Sequence, residues 1–502
     1  MADNEKVSPT TSEPEVEPGP TNTNLAKRVT TKDELHEYRE NDGYVIDAEN
    51  SDGSPSDTGV KLAADGHTRL IPQPSDDPKD PLNWSWRKKH TILFIIAAAA
   101  FLPDYGSATG AVTLIPQAAE WGMTPDEVNH SQAGNVFMLG AGGIFGAVTF
   151  ESFMGARILN GFFSTVTQGG GMMFIQDMFF FHERARKINI WASFFVMSPY
   201  MGPLLAAFMT AFKPWPTPFW VYTAETGAVL LLTMFLVDET YYDRRIPAAE
   251  QPDLGSRFSR LLGISQFRSR HLRNSFPQAC MRVVKVILKP TVLLTSVYYL
   301  LTFAWVVGIN TTLSIFLTPL YNFGPLQIGY FYFTPVVAVL LGEITGHFLH
   351  DILAKSYIKT HKGHFEPEVR LRAIFFSLPL MIVGLVLVGQ ALENAWHFMA
   401  LSVSWGLYVY GIMITTVAVS SYCLDSYPEA SGEVSAHLNN ARTLGGFVIS
   451  YFQVQWAEKQ GTKVSFGIQA AVVAAAFGII LFLMVFGKRL RIWAGPLRFA
   501  TA

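Results

Sequence analysis

The stretch RAIFFSLPLMIVGLVLVGQAL, residues 372–392, carries one charge, Arg372 at its first position, and is otherwise almost wholly apolar. A helix needs about 20 such residues to cross a hydrocarbon core about 30 Å thick. Segments of similar character recur at 90–114, 131–150, 150–181, 188–212, 219–237, 292–320, 330–350, 396–424, 434–456 and 464–486. The pattern predicts an all-α integral membrane protein. Its function is then to be sought inside a bundle of spans rather than on a water-facing surface.

Composition agrees. Hydrophobic residues make up 49% of the 502 and charged residues only 16%, against about a quarter in soluble domains. The formal net charge of −2 gives no reason to expect a nucleic-acid partner. Two cysteines, Cys280 and Cys423, make neither a disulfide framework nor a metal site and read as packing thiols. No Gly-x-x-x-x-Gly-Lys-Ser/Thr loop is present, so an ion gradient or the substrate's own gradient must supply the drive. The reading includes no catalytic residue, no cofactor and no metal, and it excludes an enzyme. Residues 1–85 are polar, rich in Pro, Ser, Asp and Glu, and read as a disordered tail without a signal peptide.

Basic residues set the orientation. Arg87, Lys88 and Lys89 precede the first span, and Arg184, Arg186 and Lys187 precede the span at 188–212. The stretch 241–290 is basic, as are 355–372 and Lys488-Arg489-Leu490-Arg491. The positive-inside rule puts all of these, and both chain ends, in the cytoplasm. The predicted units are therefore an amino-terminal bundle at 86–240, a basic central loop at 241–290, a six-helix bundle at 291–487 and a short tail at 488–502. Two bundles joined by a long loop follow the plan of parallel-repeat secondary transporters. The first bundle is incomplete. Residues 131–181 contain no polar loop, yet fully helical they would extend about 75 Å, too long for one span and too short for three. A single net crossing keeps Arg184–Lys187 inside, and something is missing near 146–150.

Several motifs carry a resemblance: Asp80-Pro81-Leu82-Asn83-Trp84-Ser85, Pro103-Asp104-Tyr105-Gly106-Ser107-Ala108, Ala156-Arg157-Ile158-Leu159-Asn160-Gly161 and HERARKINIW at 182–191. In the second half they continue as Gly342-Glu343-Ile344-Thr345-Gly346-His347, Pro367-Glu368-Val369-Arg370-Leu371 and Leu438-Asn439-Asn440-Ala441-Arg442-Thr443. From about Asp80 to Arg491 the chain resembles a fungal major facilitator superfamily transporter of the drug:proton-antiporter-like branch, which includes cation and polyamine carriers. The resemblance implies a two-bundle fold, here with about ten or eleven recognisable spans instead of twelve. The loop that normally follows the second span, and the third span itself, have no counterpart here. The antiporter signature Gly-x-x-x-Gly-Pro-x-x-Gly-Gly appears as Ser198-Pro199-Tyr200-Met201-Gly202-Pro203-Leu204-Leu205-Ala206-Ala207, with spacing and small residues kept, Gly202 and Pro203 as its helix-packing pair, and three of its glycines replaced.

Charges within spans are costly and mark function by default. Asp104, between Pro103 and Gly106, is a carboxylate for a cation or a proton. Arg157 matches the family's fourth-span arginine, a partner for Asp104 or for a substrate carboxylate. Glu343 and His347 lie one turn apart with Asp351 a further turn on, either a proton relay or a gating hinge. Arg442 with Asn439 and Asn440 reads as interhelical hydrogen bonding. Trp405 and Tyr408 are placed to wall a cage for an organic cation. Together these predict a monomeric, proton-coupled carrier of organic cations, polyamines or drug-like compounds, working by alternating access. It is assigned to the plasma membrane, with the vacuolar membrane as the alternative. The partners are a small-molecule substrate, H⁺ and the lipid bilayer. The competing reading is a truncated, non-transporting isoform or a nutrient receptor.

Overall fold

The computed structural model describes residues 44–45, 61–128 and 167–497, apart from positions 64, 67, 125–127, 243, 245–246, 252–254, 262–263, 265–266, 268–275, 362 and 496. The segment around 146–150 and Arg157 lie outside the described residues.

Helix α1 (Trp86–Ala108) starts where the Ser85 side chain accepts from the Lys88 main-chain nitrogen, satisfying a donor that the first turn leaves free. Residues 167–178 form α2. Then come α3 (Phe181–Thr210) and α4 (Thr217–Leu236). Short helices follow at Arg257–Leu261 and Phe276–Ile287. The second set is α5 (Pro290–Tyr321), α6 (Phe333–Thr360), α7 (Ile374–Glu393), α8 (Phe398–Ser426), α9 (Ser431–Gln460) and α10 (Thr462–Ala494). Pro290 opens α5 at a position whose missing N–H costs nothing.

Among the described residues, 8 helices are long and apolar enough to cross a membrane. α9 is not among them, because Glu433, His437, Asn439, Asn440 and Arg442 dilute its apolar run. It is nonetheless a full-length member of the bundle. A β-carbon on Gly445 would lie 2.7 Å from the Leu300 carbonyl oxygen, so the α9 backbone rests directly on α5, as small residues permit between spans.

One end of the bundle is basic. Lys187 Nζ lies 2.9 Å from His90 Nε2, and Lys88 pairs with Asp238 at 2.8 Å. The starts of α1 and α3 and the end of α4 therefore share that end. Glu120 bonds Trp215 at the opposite end, whereas Asp177 meets Thr240 at the basic one. Residues 120 and 177 thus lie at opposite ends of the bundle.

Contacts between the first set of helices (α1–α4) and the second (α5–α10) run the length of the molecule. Near the basic end α3 meets α6. Near the far end Ser314 of α5 donates to the Ala111 carbonyl at 2.9 Å, and Phe208 of α3 meets Tyr330 with ring centroids 5.3 Å apart. The bundle is closed at both ends along this seam.

Candidate functional site

The polar centre of the molecule sits at mid-depth on the seam. Pro103 interrupts the main-chain bonding of α1 one residue before Asp104. Gly202 of α3 brings its backbone against the Tyr105 carbonyl, where a side chain has no room. These two features hold the Asp104 turn of α1 tight against α3. The carboxylate, 7% exposed, points across the seam to Arg442 of α9, 3% exposed.

Arg442 Nη1 donates to Asp104 Oδ2 at 2.6 Å. Gln168 of α2 completes the set: its Nε2 donates to the same oxygen at 2.9 Å, and its Oε1 accepts from Arg442 Nη2 at 2.7 Å. Arg442 Nη2 also donates to Asn439 Oδ1 at 2.7 Å. The guanidinium carbon lies 5.4 Å from the Phe195 ring centroid and 5.2 Å from that of Phe303. One ring comes from α3 and the other from α5, so the cation is clamped between the two helix sets by their aromatic faces. A buried charge is tolerated when paired and hydrogen-bonded, and both charges here are.

Arg442 also separates two cavities of about 20 Å³ each. Gln168, Trp191, Phe195, Tyr299 and Ser435 line one; Asp104, Phe303, Val307, Asn310 and Thr443 line the other. Each has the volume of a single water, far below that of an organic substrate. Among the described residues, the Trp191 indole nitrogen and the Asn310 side-chain oxygen have no hydrogen-bond partner. Among the described residues the centre has no room for an organic substrate, and Arg442 is the partition between the two cavities.

A second polar group sits toward the basic end. Asn189 Nδ2 of α3 donates to the Glu343 carbonyl at 2.8 Å and to its carboxylate at 3.1 Å. Arg186 Nε donates to Asp351 Oδ2 at 2.7 Å. A β-carbon at Gly346 would stand 2.9 Å from Asn189 Oδ1, so this glycine is what lets Asn189 reach across.

The sequence reading joined some of these residues differently. Glu343 and His347 share a helix face, but no hydrogen bond links them among the described residues. Glu343 is engaged by Asn189, and the His347 ring meets Phe348 edge-on. Asp351 belongs with Arg186, not with a chain of groups down its own helix. Trp405 and Tyr408 are fully enclosed and do not line the cavity beside Asp104. Trp405 packs among Tyr200, Phe331 and Tyr332, and the Tyr408 hydroxyl donates to the Thr302 carbonyl. Trp405 stacks on Phe331, and both Trp405 and Tyr408 lie away from the cavity beside Asp104. The aromatic faces nearest the charged pair are Phe195 and Phe303. Gln168, Asn189 and Arg186 were missed, because nothing local distinguishes a glutamine, an asparagine or a loop-side arginine that has a partner on a distant helix.

Residues 132–450 match the family model of the Major Facilitator Superfamily. An uncharacterized MFS-type transporter of Schizosaccharomyces pombe is 23% identical over 529 aligned positions, covering 86% of this chain and 89% of that one. That alignment is longer than this whole chain, so the relative carries residues with no counterpart here. The MFS-type transporter penM of Penicillium rubens is 23% identical, covering 83% and 88% of the two chains. Among solved structures, the proton:xylose symporter XylE bound to 6-bromo-6-deoxy-D-glucose superposes with a TM-score of 0.55 at 13% identity, covering 82% of this chain and 100% of that one. At that identity the likeness shows the fold alone. By these matches and by its bundle of spans, the chain belongs to the Major Facilitator Superfamily of multi-pass membrane transporters.

Proposed function

We propose that the chain is a proton-coupled secondary transporter of amine-bearing small molecules (organic cations, polyamines or cationic drug-like compounds) in which Asp104 is the shared binding group. The observation that carries this is the contact set of Arg442. It pairs with Asp104, yet keeps Gln168 Oε1, Asn439 Oδ1 and two aromatic faces if that carboxylate is taken away. Arg442 therefore acts as a built-in cation that holds Asp104 while the site is empty. A proton or a substrate ammonium displaces it, and the two compete for one carboxylate.

The consequence is mechanical. The pair joins the two helix sets at mid-depth, so its opening loosens the seam around which the sets rock. The basic end faces the cytoplasm in this reading, by the positive-inside rule. The third span is absent from the chain. Two facts support that view: the longer alignment with the fission-yeast relative, and the burial of only 6% of the α4 window against 44% for Pro367–Glu393 and 33% for Thr462–Ala494.

A second reading, an anionic substrate held by Arg442 once Asp104 is protonated, is favoured by the partnerless Trp191 indole donor beside the guanidinium. Uptake and efflux profiling separates the two. Cells lacking the endogenous carrier and expressing this chain are given polyamines, quaternary amines and carboxylates across an imposed pH gradient. Amine movement that follows the gradient, and that Asp104→Asn abolishes, supports the first reading. Carboxylate movement alone refutes it. No movement of any class favours the non-transporting alternative.

A further inference from the structure

We propose that residues 61–83 form a strap that ties the two helix sets together at the basic end and must release its second-set contacts before that end opens. The inference rests on the alternating-access reading for its meaning, but the tie itself stands on geometry.

The segment is folded on its own bonds. Leu62 and Arg69 form an antiparallel bridge, and the Ala63 nitrogen donates to the Thr68 carbonyl at 2.8 Å. The Lys61 nitrogen donates to Gln73 Oε1 at 2.8 Å, and its ammonium pairs with Asp76 at 2.6 Å. The result is a compact hairpin, and its two sides are held differently.

Toward the first set the hold is polar and multiple. Asp80, fully buried, accepts from Arg244, just past the end of α4, through Nη2 at 2.7 Å and Nε at 3.1 Å. Within the strap it also accepts from the Leu82 nitrogen at 3.0 Å and from the Ser75 nitrogen and hydroxyl at 3.1 and 3.0 Å, which fix the carboxylate for that pairing. Burial alone would raise the Asp80 pKa. Arg244 and the main-chain donors outweigh it and hold the carboxyl below its usual range. Lys89 at the start of α1 donates to the Leu82 carbonyl at 2.8 Å.

Toward the second set the hold includes an apolar contact centred on Ile71. The Ile71 side chain packs with Tyr357, Phe365 and Val369 of the second set and with Phe181 of α3. The Ile71 carbonyl accepts from the Phe181 nitrogen at 2.7 Å, one of the four donors that the start of a helix leaves free. Farther upstream, Tyr44–Val45 pairs antiparallel with His364–Phe365, a second attachment of the amino-terminal segment to the same second-set loop. Ile71 thus stands in the seam between elements that separate when this end opens. Separation exposes its pocket to water on one side and leaves the polar anchor at Asp80 intact. The strap therefore stays with the first set and lets go of the second. Its hold adds to the Arg186–Asp351 and Asn189–Glu343 contacts deeper in the same seam.

The test reads distance and needs no substrate. Spin labels go on Arg87→Cys at the start of α1 and Lys359→Cys at the end of α6, in the full chain with Cys280→Ser and Cys423→Ala. Double electron–electron resonance compares the unaltered strap with Ile71→Asp, which puts a charge into the apolar pocket, and with Arg244→Gln, which loosens the anchor without entering the seam. The strap predicts one dominant short distance for the unaltered chain and a several-fold larger long-distance population in each variant. If Ile71→Asp fails to fold, Arg244→Gln alone decides. Distances unchanged in the folded variants overturn the proposal. A chain that moves no substrate still gives this readout, so a failure of the transport reading is distinguishable from a failure of the strap.

Discussion

The two polar contacts on the seam are built to different standards. At mid-depth, Asp104 and Arg442 have side chains 10% and 4% exposed, bridged by Gln168. Toward the basic end, Arg186 and Asp351 are 41% and 17% exposed. The first pair is cut off from water, so changing its charge changes the energy of the whole seam. The second is wet, and water replaces either partner at small cost. On the proposed reading, the mid-depth pair responds to charge, whereas the pair near the basic end holds the seam as a latch.

Arg442→Gln strikes hardest at that contrast. It leaves a buried carboxylate with Gln168 as its remaining side-chain donor, and losing one member of a buried pair costs about 3–5 kcal/mol. The expected outcome is loss of transport together with a lower melting temperature in detergent. Asp104→Asn is milder for stability, because Arg442 keeps Gln168, Asn439 and its aromatic clamp. Equal melting temperatures for the two variants would break the account of Arg442 as the member with fallback partners.

The latch gives smaller effects. Arg186→Gln is expected to cost about 1 kcal/mol or less, changing transport rate by less than about tenfold and leaving gradient-driven accumulation intact. A complete loss of accumulation would erase the distinction between the two pairs. Glu343→Gln is smaller again: Asn189 Nδ2 retains the main-chain carbonyl and finds an amide oxygen in place of the carboxylate. An altered accumulation ratio in that variant would favour Glu343 as a proton-carrying group over a gating role.

The smallest effect sharpens the comparison from outside the bundle. Asp80 has a pKa held below its ordinary 3.8 by Arg244 and main-chain donors. A depressed carboxyl contributes stability that is fully present above the unfolded value and lost as pH falls through the folded one. The strap anchor is thus expected to persist to below pH 3.8 in the native chain. In Asp80→Asn the protection of the Leu82 amide from hydrogen exchange should be lower and show no acid transition. Acid loosening of the native anchor well above that pH would contradict the anchor described here.

Most of the fold was legible because span length and apolarity are local properties; α7 announces itself in 372–392. α9 was legible by apolar length at 434–456, although its polar residues weaken the signal. The site was legible by halves. Asp104 stands out as an acid in a span, but its partner lies 338 residues away, and sequence spacing carries no information about such a pair. Arg442 was read as a helix-to-helix hydrogen-bonding group, and it does bond across helices to Asp104 and Gln168; what the sequence could not show is which acid it meets. Trp405 and Tyr408 were read as a cage; composition does not say that Trp405 packs among Tyr200, Phe331 and Tyr332. Asp351 was read along its own helix, where periodicity is visible, while its partner Arg186 sits on another.

The central claim is that Asp104 carries the coupling charge and Arg442 is its counter-ion across the seam. The direct test is the accumulation ratio of an identified amine substrate in proteoliposomes under an imposed pH gradient, for the native chain and for Asp104→Asn. The account predicts that the native chain follows the gradient and that Asp104→Asn shows none of this gradient-driven accumulation. Accumulation in Asp104→Asn equal to that of the native chain would contradict it.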